Sequence, residues 1–254
     1  MSGHSHWASI KHKKGKADAA KGKIFSRLGK QITIAARNGG DVNMNAALRQ
    51  AVDAARDANM PRDNIDRAIK KGTGELPGIT LEQCVYEAYG PGGVGFVIEV
   101  ITDNKNRTVS EVKHIFSKYG GSIASPGSVS RLFKKKGIIG VSSEAKESGK
   151  HITEEDLMEL AINVGAEDFK AEGDQYTLIT EAENLSSVKD KLKNENIEVS
   201  FAEMTMVPEN SIRVDEKNAE RILKIMDTLE EQQDVQNVYA NFDIPDEIME
   251  NMES

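Results

Sequence analysis

The apolar residues of this chain change their period once, near Cys84, and that change divides what it can fold into. Upstream they recur every three to four positions, as on helices. Downstream they gather in short β-branched and aromatic runs broken by Gly, Pro, Asn and Asp, interleaved with further helical stretches. The sign of the charge changes close to the same point. Met1 to Gly72 carries 15 Lys/Arg against six Asp/Glu, which leaves 18 basic and 35 acidic residues from Thr73 to Ser254. A formal net charge of −8 therefore conceals a strongly basic N-terminal module, the usual footprint of a polyanion partner.

Within that module Ala17 to Asn38 reads as an amphipathic helix. Ile24, Phe25, Leu28, Ile32, Ala35 and Ala36 share one face; Lys16, Lys23, Arg27, Lys30 and Arg37 share the other. Gly39-Gly40-Asp41 stops it. A second, Ala-rich helix is expected from Asn45 to Asn59, with Arg49 and Arg56 two turns apart on one flank. Pro61 suits the first turn of a third helix, whose buried side is Ile65, Ala68 and Ile69 and whose stop is Gly72. The preceding tail has no apolar period and a high density of Lys and His around the single Trp7. Trp7 either covers the small bundle or stacks on an unpaired base. The basic stripe is either a solvated face or a phosphate contact. Its single sign, continuous with the tail, favours contact. The expected nucleic-acid-binding residues are Trp7, Lys11, His12, Lys13, Lys14 and Lys16 of the tail, and Lys23, Arg27, Lys30, Arg37, Arg49 and Arg56 of the helices.

From Cys84 the chain reads as two interlocked α+β units. Cys84 to Tyr89 and Val94 to Thr102 form a hairpin across Gly90-Pro91-Gly92-Gly93. A helix capped by Asn106 or Thr108 follows, ends at Gly120-Gly121, and Val129 to Lys135 returns as a strand. Ile138 to Phe201 then runs strand, helix, strand, strand, helix, strand, the ferredoxin-like order. Met204 to Val207, a helix around Ile222 and Met226, and a strand from Val235 to Phe242 are expected to complete the first sheet. The fold class is α+β: a three-helix bundle with a basic tail, then two α+β domains, one ferredoxin-like. The expected domains are residues 1–80, a discontinuous middle domain of 81–136 plus 204–254, and an inserted domain of 137–203.

Several patterns imitate chemistry. Gly90-x-Gly92-x-x-Gly95 matches the dinucleotide fingerprint by letter, but a strand follows it where that motif needs a helix. His4, His6 and His12 have neither Cys nor carboxylate nearby, so no metal is expected. Cys84 is the only cysteine, which excludes an internal disulfide. No segment pairs a nucleophile with a base, so no catalytic residue and no cofactor are expected. Thr102 to Ser110 lies at a strand-to-helix junction where exposed N–H groups favour an anion; the plain alternative is a capped turn. Lys105, Arg107 and Arg131, with a basic hairpin of Lys134, Lys135 and Lys136, form a possible second contact surface. Neither a secretory leader nor a membrane span is legible, and the expected compartment is the cytoplasm.

Gly3-His-Ser-His-Trp, Ile10-Lys-His-Lys-Lys, Gly22-Lys-Ile-Phe-Ser, Asn59-Met-Pro-Arg-Asp-Asn-Ile and Ala68-Ile-Lys-Lys-Gly-Thr-Gly resemble blocks of the YebC/TACO family of gene-expression regulators. Tyr86-Glu-Ala-Tyr-Gly-Pro-Gly-Gly, Asp103-Asn-Lys-Asn-Arg-Thr and Gly127-Ser-Val follow in order, so the resemblance spans nearly the whole chain. It implies a helical domain followed by two α+β domains and no catalytic centre. It also implies a DNA-binding transcriptional regulator or, as for other members, a translation activator at the ribosome; the residues themselves also leave open a protein-interaction scaffold with an incidentally basic end. His6, Ala88 and Arg131-Leu132 depart from the family's usual residues. The expected partners are nucleic acid, either DNA or ribosomal RNA, with RNA polymerase or ribosomal proteins meeting the acidic domains of a monomer.

Overall fold

The computed structural model describes residues 18–142, 153–172, 175–245 and 247–249. The chain divides into two compact units, one of residues 131–211 and one built from the segments before and after it.

The first unit joins a helical bundle to a sheet. Helix α1 (Asp18–Ala35) tightens into a 3-10 turn at Ala36–Asn38 and stops at Gly39, where φ is 129°. Helix α2 (Ala46–Asp57) starts at Asn45, whose side chain accepts from the Leu48 N–H at 3.0 Å. The same amide donates to the Ala35 and Gly39 carbonyls, tying the end of α1 to the start of α2. A four-residue turn, with Asn59 at φ 59°, leads into α3 (Arg62–Thr73). Pro61 stands just outside α3 rather than within its first turn, and Gly72 lies inside the helix, which stops at Gly74 with φ 85°. Ile32, Leu48, Val52, Ala55, Ile65 and Ala68 form the bundle core. Ile24 departs from the expected apolar face and is 43% exposed.

Strands β1 (Glu82–Tyr89) and β2 (Gly95–Thr102) pair antiparallel from Glu82↔Thr102 to Tyr89↔Gly95, so the glycine-rich connection is a hairpin. With β3 (Ser122–Ile123) and β9 (Val235–Ala240) they make a sheet of order β3-β1-β2-β9. Helices α4 (Lys105–Tyr119) and α7 (Glu216–Glu231) pack against each other, and Phe96 of β2 meets Phe116 of α4 edge-on at 5.1 Å. The cap of α4 is Asn104, accepting from the Arg107 N–H, and not Asn106 or Thr108. Thr108 is buried and its hydroxyl turns inward. Glu87 of β1 is buried too, and its carboxylate accepts from the N–H groups of Gly127, Val129 and Ser130 at 2.6, 2.5 and 3.0 Å. Burial pushes its pKa up, and those backbone bonds outweigh burial and hold it below the ordinary value.

The second unit is ferredoxin-like. Strands β4 (Phe133–Ser142), β5 (Asp168–Glu172), β6 (Gln175–Glu181) and β7 (Val199–Pro208), with helices α5 (Glu154–Val164) and α6 (Leu185–Asn194), follow the expected order. The sheet is antiparallel, β5-β6-β4-β7, and its core holds Ile139, Leu157, Leu178, Val188 and Leu192.

Two strand expectations are corrected. Val129 to Lys135 is not one strand: a 3-10 turn occupies Ser130–Leu132 and β4 begins at Phe133. Met204 to Val207 does not join the first sheet but continues β7, because β4 and β7 pair along their whole length, from Phe133↔Pro208 to Val141↔Val199. Of the later elements only β9 joins β2; β10 (Phe242–Asp243) pairs in parallel with β8 (Ile212–Arg213). The boundaries expected at 137 and 203 thus lie inside β4 and β7.

Gly72 marks the tightest approach in the bundle, since a Cβ there would stand 2.4 Å from the Thr33 carbonyl oxygen and 2.6 Å from the Ala36 Cβ. Both obstacles are fixed to the backbone at the end of the first helix and cannot rotate away. Gly72→Ala is expected to destabilise the protein by about 1–3 kcal/mol despite its better helix propensity. Gly22→Ala, which meets nothing within 4 Å, is expected to stabilise it by up to about 1 kcal/mol. Urea unfolding of the two variants reads both signs.

Candidate nucleic-acid interface

The basic face of α1 is divided in its employment. Lys23 is exposed on the helix surface. Arg27 turns toward the end of α7 and donates to the Glu230 carbonyl. Lys30, one turn on, donates to the Gln233 carbonyl at 2.9 Å, to the Ile101 carbonyl at 3.3 Å, and to Asp234 Oδ1 at 2.8 Å. The last carbonyls of a helix lack partners within it and carry its negative dipole end, so the Arg27 guanidinium is well placed there, while Lys30 bonds the chain just beyond. Arg37 donates to the Leu81 carbonyl at 2.6 Å.

Asp234, which follows α7, is the focus of these contacts. Arg107 Nη2 approaches its Oδ2 at 2.7 Å, and the Thr102 and Thr108 hydroxyl oxygens lie 2.9 and 2.8 Å from the same atom. Burial pushes the carboxyl pKa up, but the bonds from Lys30, Arg107, Thr108 and Thr102 outweigh burial and hold it well below the usual carboxylate range. The Arg107 guanidinium, hydrogen-bonded to Asp234 and Asp103, is held above its ordinary value.

Most cations of the expected second contact surface are engaged in ion pairs within the fold. Arg107 is bound to Asp103 and Asp234, and Lys105 Nζ is 2.5 Å from Glu82 Oε2. Lys134, Lys135 and Lys136 lie on β4 rather than in a hairpin. Lys134 pairs with Glu209 at 2.6 Å, and Lys136 with Glu167 and Glu181 at 2.6 and 2.7 Å. In each case carboxylates distant in sequence arrive beside the cation. Lys135 and Arg131 are exposed. The tail residues Trp7, Lys11, His12, Lys13, Lys14 and Lys16 lie outside the described residues.

On the second and third helices the cations face outward. Arg49 and Arg56 of α2 are exposed, Arg56 beside Asp53 at 3.2 Å. Helix α3 adds four exposed cations absent from the expected set: Arg62, Arg67, Lys70 and Lys71. Arg62 lies 3.8 Å from Asp66, and among the described residues no ion pair engages the other three. Part of their signal was present, because fixing Ile65, Ala68 and Ile69 as the buried side at about 100° per residue leaves positions 67 and 70 opposite. Among the described residues no group of His, Cys, Asp and Glu could hold a metal ion, and no helix is long and apolar enough to cross a membrane.

Removing the Asp234 carboxylate leaves Lys30 and Arg107 facing one another without it. Asp234→Ala is expected to cost about 3 kcal/mol, the lower end for a broken buried pair, because Lys30 and Arg107 keep some contact with solvent. A depressed carboxyl stabilises the fold above its ordinary value of 3.8 and withdraws that stability as pH falls below it. Denaturation midpoints between pH 7 and pH 2 should fall in acid for the natural protein, with a smaller share of that fall in Asp234→Asn.

Residues 5–75 match the TACO1/YebC protein N-terminal domain, and residues 81–242 match the TACO1/YebC second and third domain. A "probable transcriptional regulatory protein" of Syntrophus aciditrophicus is 54% identical over 254 residues, covering 99% of each chain. Its namesake from Natranaerobius thermophilus is 49% identical over 251 residues, covering 98% of this chain and 99% of that one. The crystal structure of a conserved hypothetical protein from Aquifex aeolicus superposes with a TM-score of 0.83 at 46% identity, covering 96% of this chain and 99% of the other. Bundle, four-stranded sheet and ferredoxin-like unit therefore recur together along the full length, and the chain belongs to the TACO1/YebC family.

Proposed function

We propose that this protein is a non-enzymatic, nucleic-acid-binding regulator of gene expression whose basic N-terminal helices hold duplex DNA. The observation that carries this reading is the pair α2 and α3. They are joined by a four-residue turn with Asn59 in the left-handed region, and the second helix exposes Arg62, Arg67, Lys70 and Lys71. A short turn between two helices is the connection of helix-turn-helix proteins, whose second helix enters the major groove. The relatives' name, probable transcriptional regulatory protein, supports a role in transcription. Lys23, Arg49 and Arg56 extend the phosphate-contacting surface, and the tail adds further positive charge. The acidic remainder, repelled by the same polyanion, would meet protein, either polymerase or ribosome.

A second reading, a translation factor on ribosomal RNA, is favoured by the tail sequence, where one Trp among Lys and His suits irregular RNA better than a duplex groove. Crosslinking in cells separates the two, since recovery of genomic DNA supports the first and of ribosomal RNA the second.

For duplex DNA, the logarithm of affinity is expected to fall with the logarithm of salt. Arg62→Ala, Arg67→Ala and Lys70→Ala together should make that slope shallower by about 0.9 for each phosphate that the protein no longer neutralises. Arg27→Ala with Lys30→Ala should instead lower stability and leave the slope of the folded protein unchanged, because those cations face α7 and Asp234. Anisotropy titrations at four salt concentrations, beside urea unfolding, check both outcomes. An unchanged slope in the triple variant would return α3 to a merely solvated face.

A further inference from the structure

We propose that the groove between α1 and α3 receives an unpaired nucleobase of the bound nucleic acid. The proposal rests on the nucleic-acid reading above and adds a preference for strands carrying a base outside the duplex. The groove holds about 440 Å³, within the range of small-ligand clefts. Its floor is one face of α1, formed by Gly22, Ser26 and Gly29. A Cβ at Gly22 would meet nothing within 4 Å, and one at Gly29 only the Met60 Cε at 3.8 Å, so the absent side chains leave open space. Phe25 and Met60 supply apolar walls. Ile79 and Leu81, from the segment joining the bundle to β1, supply the far lip, and Ile79 is 70% exposed.

Polarity and charge are arranged for one kind of guest. Every ionisable residue on the lining is a cation: Lys30, Arg67 and Lys71. Lys30 is committed to Asp234, which leaves Arg67 and Lys71 on the α3 rim. The side chains of Asn64 and Ser26 offer donors and acceptors beside the apolar walls. A nucleobase has two apolar faces, a hydrogen-bonding edge and a phosphate on either side, and each finds its complement here.

The test uses the full-length protein and two 20-base-pair DNA duplexes, identical except for one bulged adenine, titrated at a single salt concentration. The natural protein is expected to bind the bulged probe at least about tenfold more tightly, the value of stacking one base. Gly22→Leu with Ser26→Leu fills the groove from a helix surface with open space above it. It should erase that preference and leave affinity for the perfect duplex within about twofold. Asn64→Leu on the opposite wall should reduce the preference independently, so the test survives if the first variant fails to fold. 2-Aminopurine at the bulge should change its fluorescence on binding the natural protein and not on binding the filled variant. Equal affinity for both probes, or a preference that survives both variants, overturns the pocket while leaving duplex binding intact. Binding of neither probe overturns the nucleic-acid reading and the pocket with it. Tight binding of an acidic helical peptide to the groove, without a bulge preference, would assign the groove to protein instead.

Discussion

The carboxylate of Asp234 is the point on which the larger unit depends. It gathers Lys30 from the bundle, Thr102 from the end of β2, and Arg107 and Thr108 from the first turns of α4. Its own backbone carbonyl accepts from the Ile101 N–H at 2.9 Å, so the side chain sits where β2 and the approach to β9 meet. A buried charge is tolerable only when its partners are complete, and here two cations and two hydroxyls complete it. The result is a joint between a helical bundle with its own small core and a sheet with another.

In this unit the described part of the basic module engages its neighbours through a few chosen cations. It commits Arg27, Lys30 and Arg37 to defined acceptors, chiefly carbonyls at a helix end and a strand start. The cations of α3 are left outward, on the neighbouring helix and past the short turn at Asn59. Attachment and display are thus performed by different helices of the same module. In the ferredoxin-like unit the same economy of charge appears on a smaller scale, where Lys136 holds Glu167 and Glu181 across the sheet.

Elements governed by local patterns were legible in the order of the residues. The helices over 18–35, 46–57 and 62–73, the hairpin through Gly90 to Gly93, and the order of the ferredoxin-like unit all follow from apolar period and turn residues. The sheet order β5-β6-β4-β7 adds the pairing that the period alone leaves open. Errors clustered where a partner from afar decided the outcome. Met204 to Val207 has strand character on either assignment, and only the long pairing with β4 places it. Thr108 has the side chain of a cap, yet Asp234, more than a hundred residues later, draws it inward.

Sequence by itself determined the helical and strand content, the stops at glycine, and the asymmetry of charge that marks the N-terminal module, because each depends on neighbours a few positions apart. Tertiary structure decided which cations of the described helices are bound within the fold and which stay exposed. Lys23 and Lys30 look alike on a helical wheel, two turns apart on one basic stripe, and so do Arg27 and Arg67 by composition. Their fates part only when the chain leaving α7 comes beside α1 and brings Asp234 and the Gln233 carbonyl to 2.8 and 2.9 Å from Lys30, with the Ile101 carbonyl of β2 at 3.3 Å. A charged side chain is a surface contact or an internal bond according to what the rest of the chain carries to it, and that distance is not written in local spacing.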